Sequence, residues 1–258
     1  MDDKTKIKIK NIVKNKILEK LNKYKSETEH KPFFEAIFDK PTILQASIMQ
    51  SLYTTFGMSI YEQILVELAL DNGFKQAERQ HQLKGCLNEE METLISNLCN
   101  QDIETHTKDV ELNMIREISI SGDVVKHADQ TVDVFLEDNN GNELYIDITT
   151  VKPNKKEARA LRRKMLVWKA LRFSQDNSAK VSTCIGIPYN PYHPEPYSRS
   201  FVLGNCHRDE LLVQDELWNC TSTNDDYEDL LKIFKEVGFE LKADISGFIA
   251  EESAKYEI

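Results

Sequence analysis

The chain reads as an α/β (α+β) protein, and three observations carry that reading. Apolar residues recur at helical spacing through most of the first 118 residues. The spacing switches to strict alternation on either side of Asp138-Asn139-Asn140-Gly141, and a long basic segment of helical period follows. A chain of 258 residues with 40% hydrophobic content is long enough to bury a core, as one domain over 1–258 or a domain with a helical appendage.

In chain order, residues 7–24 predict an amphipathic helix with Ile9, Ile12, Val13, Ile17 and Leu21 on one stripe. A short helix around Phe33–Phe38 ends before Pro41, and residues 43–53 and 58–71 predict two more. The second of these carries Ile60, Ile64, Leu65 and Leu68 and stops near Asn72-Gly73. Another helix spans Asn88–Leu98. Residues 1–118 thus form a mainly helical N-terminal part, and 119–258 hold the sheet, the basic helix and a C-terminal part. No repeat or Gly/Ser-rich linker separates them.

Thr131–Leu136 and Glu143–Val151 alternate as strands around the turn. A two-residue loop would set apolar residues against polar ones. A three-residue loop, Asn139-Asn140-Gly141 with a left-handed glycine, pairs Val132 with Ile148, Val134 with Ile146 and Leu136 with Leu144. The same register sets Asp133 opposite Asp147 and Thr131 opposite Thr149. Facing carboxylates repel unless a cation lies between them, and hard oxygen donors suit magnesium. The plain alternative is a solvated hairpin face.

Pro153 ends the second strand, and residues 155–172 predict a helix with Ala158, Leu161, Met165 and Trp168 on one stripe. Lys155, Arg159, Arg162, Arg163 and Lys169 occupy much of the opposite side. A basic helix fed from a carboxylate-bearing strand is suited to hold a phosphate backbone beside a metal.

Charge position outweighs the net charge of -10. Nine Lys or Arg and one Glu lie between Lys152 and Arg172, whereas from His207 onward fourteen acidic residues face five basic ones. A second basic run, nine lysines in the first 25 residues, reads more simply as a solvated helix face. No apolar run of about 18 residues predicts a membrane span, and the lysine-rich start does not resemble a secretory signal. Five widely spaced cysteines read as reduced thiols of a cytoplasmic protein; Cys206-His207 with Cys220 lacks the paired spacing of a zinc site. The segment Gly186–Arg199 carries four prolines and three tyrosines. Asn190 and Arg199 there could read base edges, or the loop could simply pack against the sheet. Trp218 and a helix around Tyr227–Val237 read as core, with Gly238 as the helix stop.

An aspartate followed after some thirteen residues by an acidic-x-Lys element is the pattern of the PD-(D/E)xK nuclease superfamily. The longer segments VDVFLEDNNGNELYIDITTVKPNK, KMLVWKALR, GIPYNPYHPEPYSR, DELWN and YEDLLKIFKEVGFEL resemble the TdeIII-type restriction endonucleases, as do KPFFEAIF and SIYEQILVELA nearer the start. That resemblance implies a restriction-endonuclease-like core, a mixed central sheet flanked by helices. It also implies magnesium-dependent hydrolysis of both strands of double-stranded DNA at a short specific, GGNCC-like site. The protein would act as a homodimer paired with a cognate DNA methyltransferase. By position, Asp133 and Asp147 would be the metal-binding carboxylates, with the Ile148 carbonyl as a further ligand. Glu62 would match an acidic residue supplied by an N-terminal helix, unless it is an ordinary exposed glutamate.

The departure from the pattern is Thr149, where the motif has lysine. Threonine cannot supply the ammonium that orients the attacking water and steadies charge at phosphorus. Lys152 points to the wrong face unless a bulge before Pro153 turns it, and Lys155 could act instead. Three readings remain: a lysine from elsewhere, a different third residue, or a sequence-specific DNA-binding protein without activity. A repair or junction-resolving nuclease is the other enzyme class.

Overall fold

The computed structural model describes residues 1–24, 31–120, 122, 126–222 and 225–254. Helices α1 (Asp3–Asn22), α2 (Pro32–Glu35) and α3 (Lys40–Thr55), a π-helical turn (Phe56–Ile60) and α4 (Tyr61–Asp71) lead into strand β1 (Gln76–Gln82). Helices α5 (Glu89–Asn100) and α6 (Lys108–Ile118) precede the hairpin of β2 (Thr131–Glu137) and β3 (Asn142–Ile148). Helix α7 (Lys155–Gln175) then crosses to β4 (Lys180–Ile187). A short α8 (Ser200–Leu203), β5 (Leu211–Val213), α9 (Asp215–Trp218), α10 (Asp226–Glu240) and α11 (Lys242–Ala254) follow.

The chain divides into two units, Met1–Ile64 with Glu228–Ile258, and Leu65–Tyr227. In the first, α1 buries Ile9, Val13, Ile17 and Leu21 of the expected stripe, with Thr5 in line with them and Ile12 only half-buried at its border. Its opposite face is not simply solvated. Lys6 pairs with Asp229, Lys10 with Glu236 and Glu240, and Lys14 with Glu240, so acidic α10 balances part of the N-terminal lysine run. Helix α10 also runs through Gly238 to Glu240, which corrects the expected stop: no left-handed turn is made there, so glycine alone does not end the helix. The helix expected over Phe33–Phe38 is a single turn, Pro32–Glu35.

The second unit is built on a five-stranded mixed sheet of order β1-β2-β3-β4-β5. The first two pairings are antiparallel and the last two parallel. The expected mixed α/β architecture is therefore present. Register follows the three-residue loop: Val134 pairs with Ile146 and Leu136 with Leu144, and Gly141 has φ +73°. Strand β1 was not predicted, because Gln-Ala-Glu-Arg-Gln-His-Gln has no apolar alternation to reveal it. Asn154 starts α7 with a capping box, accepting the Lys156 and Glu157 amide protons while Glu157 accepts from the Asn154 amide. Helix α7 packs on the sheet through Trp168 against Tyr145, and on α5 and α6 on its other side. Buried on both sides, it is the centre of this unit's core.

Candidate active site

Asp133 and Asp147 meet where β2 and β3 stop pairing. The ladder's last pair is Val134–Ile146, one step short of the two aspartates. The expected Val132–Ile148 pair is not made, because the Ile148 amide donates to Asp133 Oδ2 at 3.0 Å. Thr131 pairs with Gln82 of β1, and the Thr149 amide donates to the Gly186 carbonyl of β4 at 3.1 Å, so these two threonines do not face each other either. The strands splay at the carboxylates and open a polar notch. Asp147 is 6% exposed and Asp133 is half-buried.

A cation fills the notch, and sequence reasoning missed it. Lys164 of α7 donates through Nζ to Asp147 Oδ2 and lies 3.7 Å from Asp133 Oδ1. Its stem packs beside Trp168, with Nζ 5.1 Å from the ring. Burial alone would lower the Lys164 pKa, but the charges of Asp147 and Asp133 outweigh it and hold the pKa above the ordinary lysine value. Burial pushes the Asp147 carboxyl up, Lys164 opposes that, and the Asp133 charge adds to it. The arrangement is one ammonium shared by two carboxylates, one of them buried at a cost. Lys164 follows Leu161 by three positions and precedes Trp168 by four, on the border of the apolar stripe. That border position was the available signal. What periodicity omits is height: about 14 Å of helix from Lys155 brings Lys164 back to the level of Asp147.

The other expected residues fall into three groups. Thr149 is half-buried at the end of β3 and brings no charge. Lys152 is exposed with Nζ 5.1 Å from the Tyr192 ring, and Lys155 and Arg159 are exposed on the first turns of α7. The cation between the aspartates is therefore neither Lys152 nor Lys155. Arg162 and Lys169, expected on a DNA-facing side, are 2% and 1% exposed. Arg162 pairs with Glu111 and Glu210, and Lys169 with Glu210 at 2.5 Å, because α5, α6 and the 208–210 turn cover that side of the helix. Arg163 is half-buried and pairs with Glu92 at 2.6 Å.

Asn190 and Arg199 hold the loop together. The Asn190 side chain donates to the Glu195 carbonyl and accepts from the Tyr192 amide; Arg199 Nε donates to the Pro153 carbonyl at 3.0 Å. Tyr197 also donates to the Val151 carbonyl, so the loop is fastened to the segment joining β3 and α7. Exposed there are Tyr189, Ser198 and the run His193 to Pro196. Glu62 is 2% exposed in the first unit, which sets aside its reading as an exposed glutamate.

The donor set at the notch fits a hard divalent cation. Magnesium takes one or two carboxylates and keeps several waters, and two carboxylates already sharing one positive charge meet that need. Among the described residues no group of three or more His, Cys, Asp or Glu is arranged to hold a metal.

Comparison with known proteins gives the lineage. A family model described as Type II restriction endonuclease, HinfI, matches residues 1–238. The chain is 23% identical over 229 residues to the Type II restriction enzyme HgiCII of Herpetosiphon aurantiacus, covering 86% of this chain and 82% of that protein. It is 22% identical over 224 residues to HgiBI of the same organism, covering 84% and 80%. With the Type II restriction enzyme MjaII of Methanocaldococcus jannaschii it shares 26% identity over 182 residues, covering 66% of this chain but only 48% of MjaII. The resemblance read from the sequence is borne out at the level of type II restriction endonucleases, and the family that matches is the HinfI one. The chain belongs to the HinfI family of type II restriction endonucleases.

Proposed function

We propose that the protein is a magnesium-dependent, site-specific deoxyribonuclease that hydrolyses a phosphodiester bond in each strand of duplex DNA. The observation that carries this reading is the Lys164 ammonium lying between Asp133 and Asp147. It supplies from a helix the charge that Thr149 does not supply from the strand. Asp133, Asp147 and the Ile148 carbonyl would hold Mg2+, which when bound polarises the scissile phosphate and a water. Lys164 orients the attacking water and stabilises the negative charge that develops on the phosphoryl oxygens. Splayed strands and a half-buried Asp133 leave the notch open to a phosphate.

Lys152, Lys155 and Arg159, exposed on the segment after β3 and the first turns of α7, are the residues assigned to the DNA backbone. Two strand cuts at a symmetric site call for two such centres, hence a homodimer, with a cognate methyltransferase protecting host DNA. Purified protein incubated with plasmid DNA tests the reading. Discrete fragments with Mg2+, and none with EDTA, are expected. Fragment ends within GGNCC would favour the TdeIII-type resemblance in site choice. Retarded but uncut duplex in Mg2+ would identify a DNA-binding protein without activity.

A further inference from the structure

Strand β1 pairs with β2 from Gln76–Glu137 to Gln82–Thr131 and omits one position, Gln80, which stands opposite Asp133. Gln80 has φ +51°, in the left-handed region that side chains other than glycine avoid. A backbone so placed is strained and persists only where its surroundings hold it. They do here: Gln82 Nε2 donates to the Gln80 carbonyl at 3.3 Å and to Thr131 Oγ1 at 2.8 Å, bracing the bend from the next residue pair. The bend carries the Gln80 carboxamide to Asp133, with Nε2 3.5 Å from Oδ1. The other oxygen, Oδ2, is held by the Ile148 amide. A bend needed only to blunt the sheet edge would be met more cheaply by glycine.

We infer that Gln80 is a positioning residue for Asp133: its carboxamide and the Ile148 amide fix the plane of that carboxylate from its two sides. The inference rests on the nuclease reading for the role of Asp133 as a metal ligand. Partners that orient a metal-binding carboxylate typically contribute ten- to a hundred-fold to metal affinity. Gln80→Gly removes the carboxamide while relieving the backbone, and Gln80→Glu keeps the length but removes the donor.

Mn2+ binding followed by electron paramagnetic resonance reads the ligand site without requiring cleavage. Both variants should raise the half-saturating Mn2+ concentration about ten-fold. Gln80→Gly should melt no lower than the parent, and the Mg2+ needed for half-maximal cleavage should rise in step. Unchanged Mn2+ binding in Gln80→Gly would overturn the inference. Tighter binding in Gln80→Glu would also overturn it, since the side chain would then be a ligand. If the parent binds Mn2+ and the variants lose affinity while nothing cuts DNA, the nuclease reading fails and the positioning role stands. If the parent binds no Mn2+, both fail.

Discussion

Four cations of α7, Lys155, Arg159, Arg162 and Lys169, looked alike in sequence and have two fates in the fold. Lys155 and Arg159 stay exposed, whereas Arg162 and Lys169 are buried in ion pairs with Glu111 and Glu210. Replacing either exposed cation by alanine should weaken duplex binding and reduce the slope of log affinity against log salt by about 1, with stability within about 0.5 kcal/mol. Arg162→Met or Lys169→Met should leave that slope unchanged and cost on the order of 3 kcal/mol, because a buried carboxylate loses its partner. Salt-titrated gel retardation and denaturant melts separate the two classes. Sequence set Asp133 and Asp147 on one face of the hairpin because register obeys a parity rule set by the turn, and the pairing of Val134 with Ile146 follows that register. It could not separate these four cations, because periodicity assigns a residue to a side of a helix and not to what covers that side. The buried partners lie far along the chain: Glu111 is 51 residues from Arg162, and Glu210 is 41 from Lys169.

At the level of elements, α6, α7 and the 208–210 turn are tied by a buried ionic network. His207 Nε2 lies 3.1 Å from Glu111, and Glu210 takes Lys169 and Arg162. Burial alone would raise the Glu210 pKa, but the Lys169 charge and hydrogen bond, with Arg162, hold it down to about 2 against an ordinary 4.5. A carboxyl depressed on folding stabilises the protein above its unfolded pKa, and that contribution is lost as pH falls through the folded value. Thermal midpoints should therefore fall between pH 4.5 and about 2 more steeply for the parent than for Glu210→Gln. Equal slopes would remove Glu210 from the network's energetics. The elements themselves were legible where apolar spacing is strong, as in α1, β2, β3 and α7. Strand β1 was silent because an edge strand with polar side chains is specified by the backbone of its neighbour.

For the whole molecule, the net charge of -10 conceals two local arrangements: lysines of α1 balanced by acids of α10, and Lys155 and Arg159 left exposed on the first turns of α7. The second leaves positive charge available to a phosphate backbone. The proposed cut in each strand calls for two notches, so sedimentation equilibrium should give twice the 29.8 kDa chain mass, at least with DNA present. A monomer that makes double-strand breaks with first-order dependence on protein would contradict the dimer. The family membership follows from a match over most of the chain, and the lysine proposed to answer the departure at Thr149 lies fifteen positions further on and meets the aspartates only in three dimensions.

Single-turnover cleavage of plasmid in Mg2+ by the parent, Lys164→Met, and Lys164→Met with Thr149→Lys tests that substitution of one lysine for another most directly. Loss of a charge-stabilising donor of this kind costs about a hundred- to a thousand-fold in rate. Lys164→Met should lose activity on that scale while still retarding duplex DNA, and the added Thr149→Lys should restore part of it from the strand. Cleavage by Lys164→Met at the parent's rate would show that the ammonium between Asp133 and Asp147 is only a structural ion pair.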